Sequence, residues 1–559
     1  MKLRISSCKA ALAKDLTRFA PAWGLYLVGF LLLMLPELMA NSSASIGMTL
    51  GESIGALGVL NFVYAALCAQ LLFGDLFQSR LCNALHAMPI KRSGWFFCHV
   101  AAGLSFSLVP NTICALILMP LMKEFWFVSL LWLAALTLEF MFFFGLGVLS
   151  MLCTGNRFAM VAVYGILNFL SILVLWFVKT IFEPLLYGFY VTTEPFFWLC
   201  PVVQLVRGQT VGLEYIFINK IGGTWMFTGL GEGWIYLLVL AGAGTVFGVL
   251  ALLLYRKRAL ESAGDFIAFR PLAPVFCVVY TLTVAALFAM WGELFFGKNY
   301  LFFPVGFLVG YFTGQMLLRR TVKVFTGRVF LWFAVFAVAV FASVGLVRVD
   351  PAGYTYWVPR PAEVESVKIA NSKDAEYYYN WLELTEPEDI AAITELHRDV
   401  TEKLGKYPNG NTTCMSLTYT LKNGRKVTRA YEYGVPVEPL MVFFSRPACV
   451  LGLTGDTEAF LDSVPFVEIE SKAVTGEKAR ELLLAMIADC EAGAMAQDWT
   501  YHDFKNDRLI TWVAFQPKGG DYRDVMVFTN AENTVRWLKE NFDLWADEER
   551  EPEDYFSGK

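Results

Sequence analysis

Charge is scarce in this chain until about Val349. Over all 559 residues only 17% are Asp, Glu, Lys or Arg against 56% hydrophobic, and the mean hydropathy of +0.50 excludes an ordinary soluble protein of this size. Other absences narrow the chemistry. There is no GxxxxGK[ST] phosphate loop, so the chain cannot hydrolyse ATP in the P-loop manner. There is no HExxH, and the four histidines, His86, His99, His397 and His502, are not spaced as metal ligands. No convincing catalytic set stands out among the carboxylates, and no basic patch suggests nucleic acid. The eleven cysteines form no CxxC pair; Cys68, Cys98, Cys114 and Cys277 fall in apolar runs, while Cys200, Cys414, Cys449 and Cys490 fall in segments expected outside the membrane, where either free thiols or a disulfide are allowed. The N-terminus lacks a short apolar core with a small-residue cleavage site, so no secretory signal is expected to be removed.

What is present is a repeated apolar run. Runs near residues 22 to 40, 56 to 74, 96 to 121, 127 to 152, 158 to 178, 233 to 254, 274 to 294, 301 to 318 and 329 to 347 are each near the length that crosses a bilayer. The expected fold class is therefore a polytopic α-helical membrane protein of about nine transmembrane helices, followed by a C-terminal α+β soluble domain. If nine spans alternate, most basic residues fall on one side: the lead-in Lys2 to Arg18, then Arg80, Lys91 and Arg92, Arg157, Arg256 to Arg258 with Arg270, and Arg319 to Arg328. The positive-inside rule then makes the N-terminus cytoplasmic and places everything after Val349 outside. Residues 1 to 21 read either as an amphipathic interfacial helix or as a basic lead-in that sets orientation.

Two regions depart from simple spans. Lys179 to Glu232 is apolar and aromatic but broken by Pro184, Pro195 and Pro201, which suggests short interfacial or re-entrant helices on the outer face. From about Asp350, strands are expected over Glu365–Ala370 and Met415–Leu421, and Asn423-Gly424 is expected in a hairpin turn that leads into a second strand through Tyr433. Leu509–Phe515 and Asp524–Phe528 suggest a further strand pair. Helices are expected over Glu388–Leu404, Glu477–Cys490 and Glu532–Phe542. No internal repeat is evident in the sequence.

Within the spans Glu139 stands out, because a carboxylate in lipid must face the bundle interior, a cavity or a hydrogen-bond partner. It reads either as part of a substrate path or as a polar contact between helices, and Asn168 could serve either role. Pro110 and Pro304 are expected to kink their helices. Two polar stretches carry more specific signals. Asp75 to Trp95 is expected to begin as a short helix and stop at Pro89. Tyr255 to Phe276 carries a basic flank and then a turn over Glu261, Ser262, Gly264 and Asp265.

LHAMPIKR (Leu85 to Arg92) and RALESAGDFIAF (Arg258 to Phe269) resemble the cytoplasmic loops of permease subunits of bacterial type-2 ABC exporters. ITELHRDVTEKL (Ile393 to Leu404) and LTYTLKNGRKVTRAYEY (Leu417 to Tyr433) resemble an uncharacterised outer domain attached to such permeases. The resemblance implies a six-span core over residues 22–255; the chain departs from that simple pattern through a linker and three additional spans expected over 256–349 and an extracytoplasmic domain expected over 350–559. It implies a bacterial plasma-membrane protein that binds no cofactor itself, with ATP and Mg handled by two copies of a separate cytoplasmic ATPase. A second permease, identical or paralogous, and membrane lipid would be its other partners. The resemblance also implies an ATPase-coupling loop that holds Arg80, Leu85, His86, Met88, Pro89, Lys91 and Arg92. A membrane sensor that signals through the ATPase without moving substrate is the competing reading.

Overall fold

The computed structural model describes residues 10, 12–38, 43–87, 90–207, 217–220, 224–227, 233–259, 263–297, 299–370, 382–404, 406, 412–453, 456–470, 472–495, 508–518 and 522–541. The chain divides into two units, one of Met1–Phe177 with Thr193–Ala339 and one of Val178–Thr192 with Val340–Lys559.

The first unit is a helical bundle. Its elements are α1 (Ala20–Leu38), α2 (Ser43–Phe73), the short α3 (Ser79–Ala87), α4 (Arg92–Leu121), α5 (Trp126–Cys153), α6 (Arg157–Leu185), α7 (Glu194–Trp198), α8 (Pro201–Val206), α9 (Gly233–Lys257), α10 (Leu272–Phe296), α11 (Asn299–Arg319) and α12 (Gly327–Val349). The ends of α6 and α12 belong to the second unit. Among the described residues eight helices are long and apolar enough to cross a membrane; α1, which covers the first expected run, counts as a shorter apolar helix over Ala20–Leu32. Long apolar runs become helices because only a helix satisfies the backbone of a single segment in hydrocarbon.

The bundle is built around α5, whose Trp132, Phe140 and Phe143 are fully buried. Small residues set its closest contact. A Cβ on Gly145 would sit 2.2 Å from the Gly244 carbonyl oxygen, and one on Gly244 would sit 2.4 Å from that of Met141. The α10–α11 hairpin uses the same device, with Gly306, Gly310 and Gly314 on one face of α11 against α10. In the segment expected to be re-entrant, α7 and α8 are short helices, and Leu205 of α8 is buried against Gly58. A hairpin of β1 (Phe217–Lys220) and β2 (Thr224–Phe227) also forms there, which the proline-broken sequence did not suggest. Pro110 and Pro304 both lie inside continuous helices. No disulfide joins the described cysteines, Cys200, Cys414, Cys449 and Cys490 included.

The second unit holds two antiparallel four-stranded sheets. The first contains β3 (Val364–Ala370), β4 (Leu382–Leu384), β5 (Thr412–Leu421) and β6 (Lys426–Pro436) in the order β4-β3-β5-β6, with α13 (Pro387–Lys403) between β4 and β5 and α14 (Val437–Phe444) after β6. After the short α15 (Thr457–Ser463), the second contains β7 (Phe466–Ile469), β8 (Lys472–Thr475), β9 (Leu509–Phe515) and β10 (Arg523–Phe528). Its order, read from the other edge, is β8-β7-β9-β10, with α16 (Glu477–Glu491) between β8 and β9 and α17 (Glu532–Asn541) after β10. Both modules therefore run strand, strand, helix, strand, strand, helix, with the same neighbours in each sheet. Each has its own apolar core. The β5–β6 turn is the expected one: Gly424 takes φ +80° and its N–H donates to the Leu421 carbonyl at 2.8 Å.

Because backbone rather than a flexible side chain faces Gly244, Gly244→Leu is expected to destabilise the bundle by at least the ~1–3 kcal/mol of ordinary overpacking. Thermal unfolding of the detergent-solubilised chain, read by size-exclusion fluorescence, checks this; an unchanged midpoint would contradict the close α5–α9 contact.

Candidate functional site

The basic segments of the first unit converge at one end of the bundle. The chain leaves α2 through a 3-10 turn, Gly74–Phe77, enters α3, and starts α4 at Arg92 with Lys91 as its N-cap residue. Arg92 is half-buried, and its Nη1 donates to the Arg258 carbonyl at 3.1 Å. Arg258 lies just beyond α9 and is 5% exposed. Its Nη1 donates to the carbonyls of Met151 at 2.9 Å and Leu152 at 3.1 Å. Those groups end α5, where carbonyls lack helical partners and the helix dipole favours a cation. Burial pulls the Arg258 pKa down from its ordinary value, while the guanidinium keeps its charge at neutral pH.

The surrounding loops are tied to the same place. The Gly264 N–H donates to the Gly155 carbonyl at 2.7 Å and that of Ala268 to the Cys153 carbonyl at 2.8 Å. Gly264 has φ +91°, a conformation that favours glycine. Asp265 forms an ion pair with Arg320. Asp15, ahead of α1, reaches His99 Nδ1 at 2.8 Å with both groups buried, and Trp95 stacks on the His99 ring. Thus Arg92, Gly264 and Asp265 join one hydrogen-bonded junction, whereas Arg80 and Lys91 are exposed beside it. Leu85 and His86 lie in α3, with side chains outside the described set; Met88, Pro89, Glu261 and Ser262 lie outside the described residues.

Glu139 is fully buried in α5. Its Oε2 accepts from Asn61 Nδ2 at 3.0 Å. Tyr26 OH lies 3.4 Å from Asn61 Oδ1 and 3.2 Å from Asn111 Oδ1, and its single proton serves one of them. Asn111 in turn donates to Ser107 Oγ at 3.1 Å. Four helices, α1, α2, α4 and α5, thereby share one buried polar network, in which Glu139 Oε1 has no hydrogen-bond partner among the described residues. Asn168 is separate, donating to the Tyr164 carbonyl at 2.9 Å. Sequence reading found Glu139 but not Asn61 or Tyr26, which are ordinary residues until packing brings them together.

The second unit has its own buried polar set. His397 places Nδ1 2.8 Å from Tyr419 OH and Nε2 2.6 Å from Tyr431 OH. Burial lowers its pKa from 6.5 to about 3. Fully buried Arg429 lies over the Tyr354 ring at 3.9 Å and donates to the Trp357 carbonyl at 2.8 Å. A cavity of about 280 Å³ beside Tyr431 is lined by Glu183, Tyr187, Gly188, Phe189 and Glu432. No group of three or more His, Cys, Asp or Glu among the described residues could hold a metal ion.

Glu139→Leu leaves Asn61 Nδ2 unpaired in the core and is expected to cost ~1–3 kcal/mol, while Glu139→Gln keeps an acceptor and costs less. Thermal midpoints of the two variants check the order. His397 stays neutral in the fold between pH 6.5 and about 3, whereas the unfolded chain takes up its proton below 6.5. Its stabilising contribution is therefore present above pH 6.5 and lost as pH falls through that window, by at most ~1.4 kcal/mol per pH unit. Hydrogen exchange over β5 and β6 should show less protection at pH 5 than at pH 7, and His397→Gln should flatten that slope. The chain matches no protein-family model, no curated protein and no solved structure.

Proposed function

We propose that the chain is the membrane-spanning permease subunit of an ATP-binding-cassette exporter in a bacterial plasma membrane. A separate cytoplasmic ATPase, in two copies, binds ATP and Mg²⁺, and a second permease completes the path. The observation that carries this reading is the link from Arg92 through Arg258 to the end of α5. A push on the loop before α4 is thereby delivered to the central helix of the bundle. Glu139 lies about 20 Å along that helix from its Cys153 end, at 1.5 Å per residue, which is well inside a hydrocarbon core of about 30 Å. The exposed Arg80 and Lys91 give an ATPase a place to engage. For that engagement to drive transport, it must differ between two states of the permease.

The sensor reading draws on the cavity in the second unit, whose carboxylates Glu183 and Glu432 and rings Tyr187, Phe189 and Tyr431 suit a cationic ligand. Flux separates the two readings: ATPase-dependent efflux belongs to the exporter, and ligand binding without flux to the sensor.

Arg92→Ala, alone or with Lys91→Ala, is expected to leave membrane insertion intact and to reduce transport per ATP hydrolysed by about tenfold or more, the scale of a lost coupling of about 1–3 kcal/mol. Reconstituted vesicles containing the ATPase check this. Full coupling in both variants would contradict the assignment.

A further inference from the structure

An apolar groove of about 270 Å³ runs between α4, α5 and α9, lined by Phe97, Leu104, Phe144, Gly145, Gly248 and Leu252 among others. Its floor is the close Gly145–Gly244 contact. Gly248 keeps it open, since a Cβ there would meet nothing within 4 Å. One end of the groove is basic. Phe96 and Leu252 line it, and a helical step of four residues leads from them to Arg92 and Arg256 on the same faces. Lys91, Arg256 and Lys257 are exposed there. The Arg92–Arg258 hydrogen bond and the Phe96–Tyr255 ring contact, 6.0 Å between centroids, hold the two helix ends side by side.

No acidic residue occurs between Lys91 and Lys123 or between Gly233 and Leu260. The described carboxylates near this end have other partners: Asp265 pairs with Arg320, Asp15 with His99, and Asp75 lies 3.8 Å from Arg18. A hydrocarbon-lined groove that opens onto cations with no acidic partner among the described residues matches a molecule with an apolar chain and an anionic head.

We propose that this groove binds an anionic phospholipid, with an acyl chain against Gly248 and its phosphate on Lys91, Arg256 and Lys257. The proposal needs the helices to lie in a bilayer but does not depend on export. Bound lipid would bridge the ends of α4 and α9 beside the junction that Arg258 organises.

The test is native mass spectrometry of the full chain, purified in detergent and titrated with phosphatidylglycerol or phosphatidylcholine of identical acyl chains. The wild type should retain phosphatidylglycerol preferentially. Arg256→Gln with Lys257→Gln should weaken that retention about thirtyfold and leave phosphatidylcholine unchanged, as expected at about 1 kcal/mol per basic residue. Gly248→Leu, which fills the groove on an open helix face, should reduce retention of both lipids. Equal retention of the two lipids by the wild type, an unchanged preference in the charge variant, or undiminished retention in Gly248→Leu would overturn the proposal. So would a disulfide between two copies of Gly248→Cys in membranes, which would assign the groove to a second chain.

Discussion

The contact on which the first unit depends is Arg258 at the end of α5. The last carbonyls of a buried helix cannot be left without donors, because each unpaired polar group in an apolar setting costs several kcal/mol. Arg258 satisfies Met151 and Leu152, and its own carbonyl accepts from Arg92. One side chain and one backbone group thus fasten the ends of α4, α5 and α9 together. The glycine contact between Gly145 and Gly244 brings α5 and α9 close enough for the same arrangement to persist along the bundle. Rigid helices with a fastened end transmit displacement better than helices joined by loops alone.

The second unit follows a different logic. Its two modules share a strand order and helix placement, yet nothing in the residue pattern repeats. The constraint they share is geometric: each sheet covers one face with helices, and each closes its own core. Within that common plan the polar interiors differ. The first module buries His397 between two tyrosine hydroxyls. In the second, the buried carboxylate of Asp489 accepts from the backbone N–H groups of Asn533 and Thr534, at the start of α17.

Much of the fold was legible in the sequence. The long apolar helices follow from local composition, and the Asn423-Gly424 turn and the alternating strands around it follow from local conformational preference. What was not legible depends on distance along the chain. The carbonyls that Arg258 caps are more than a hundred residues away, and the polar network around Glu139, joined through Asn61, draws on three other helices. The four-residue spacing of Gly306, Gly310 and Gly314 is itself a readable sign of close helix packing, but it does not say which helix packs there. The repeated topology of the second unit could not be read because shared topology needs only a similar order of buried segments.

The central claim is that the loop before α4 receives work from a separate ATPase, and contact at Arg80 tests it most directly. A photo-crosslinking side chain at position 80 of the full chain, activated in native membranes, should yield an adduct that mass spectrometry identifies as an ABC ATPase. Adducts only with lipid, or with proteins that lack a nucleotide-binding site, would contradict the account.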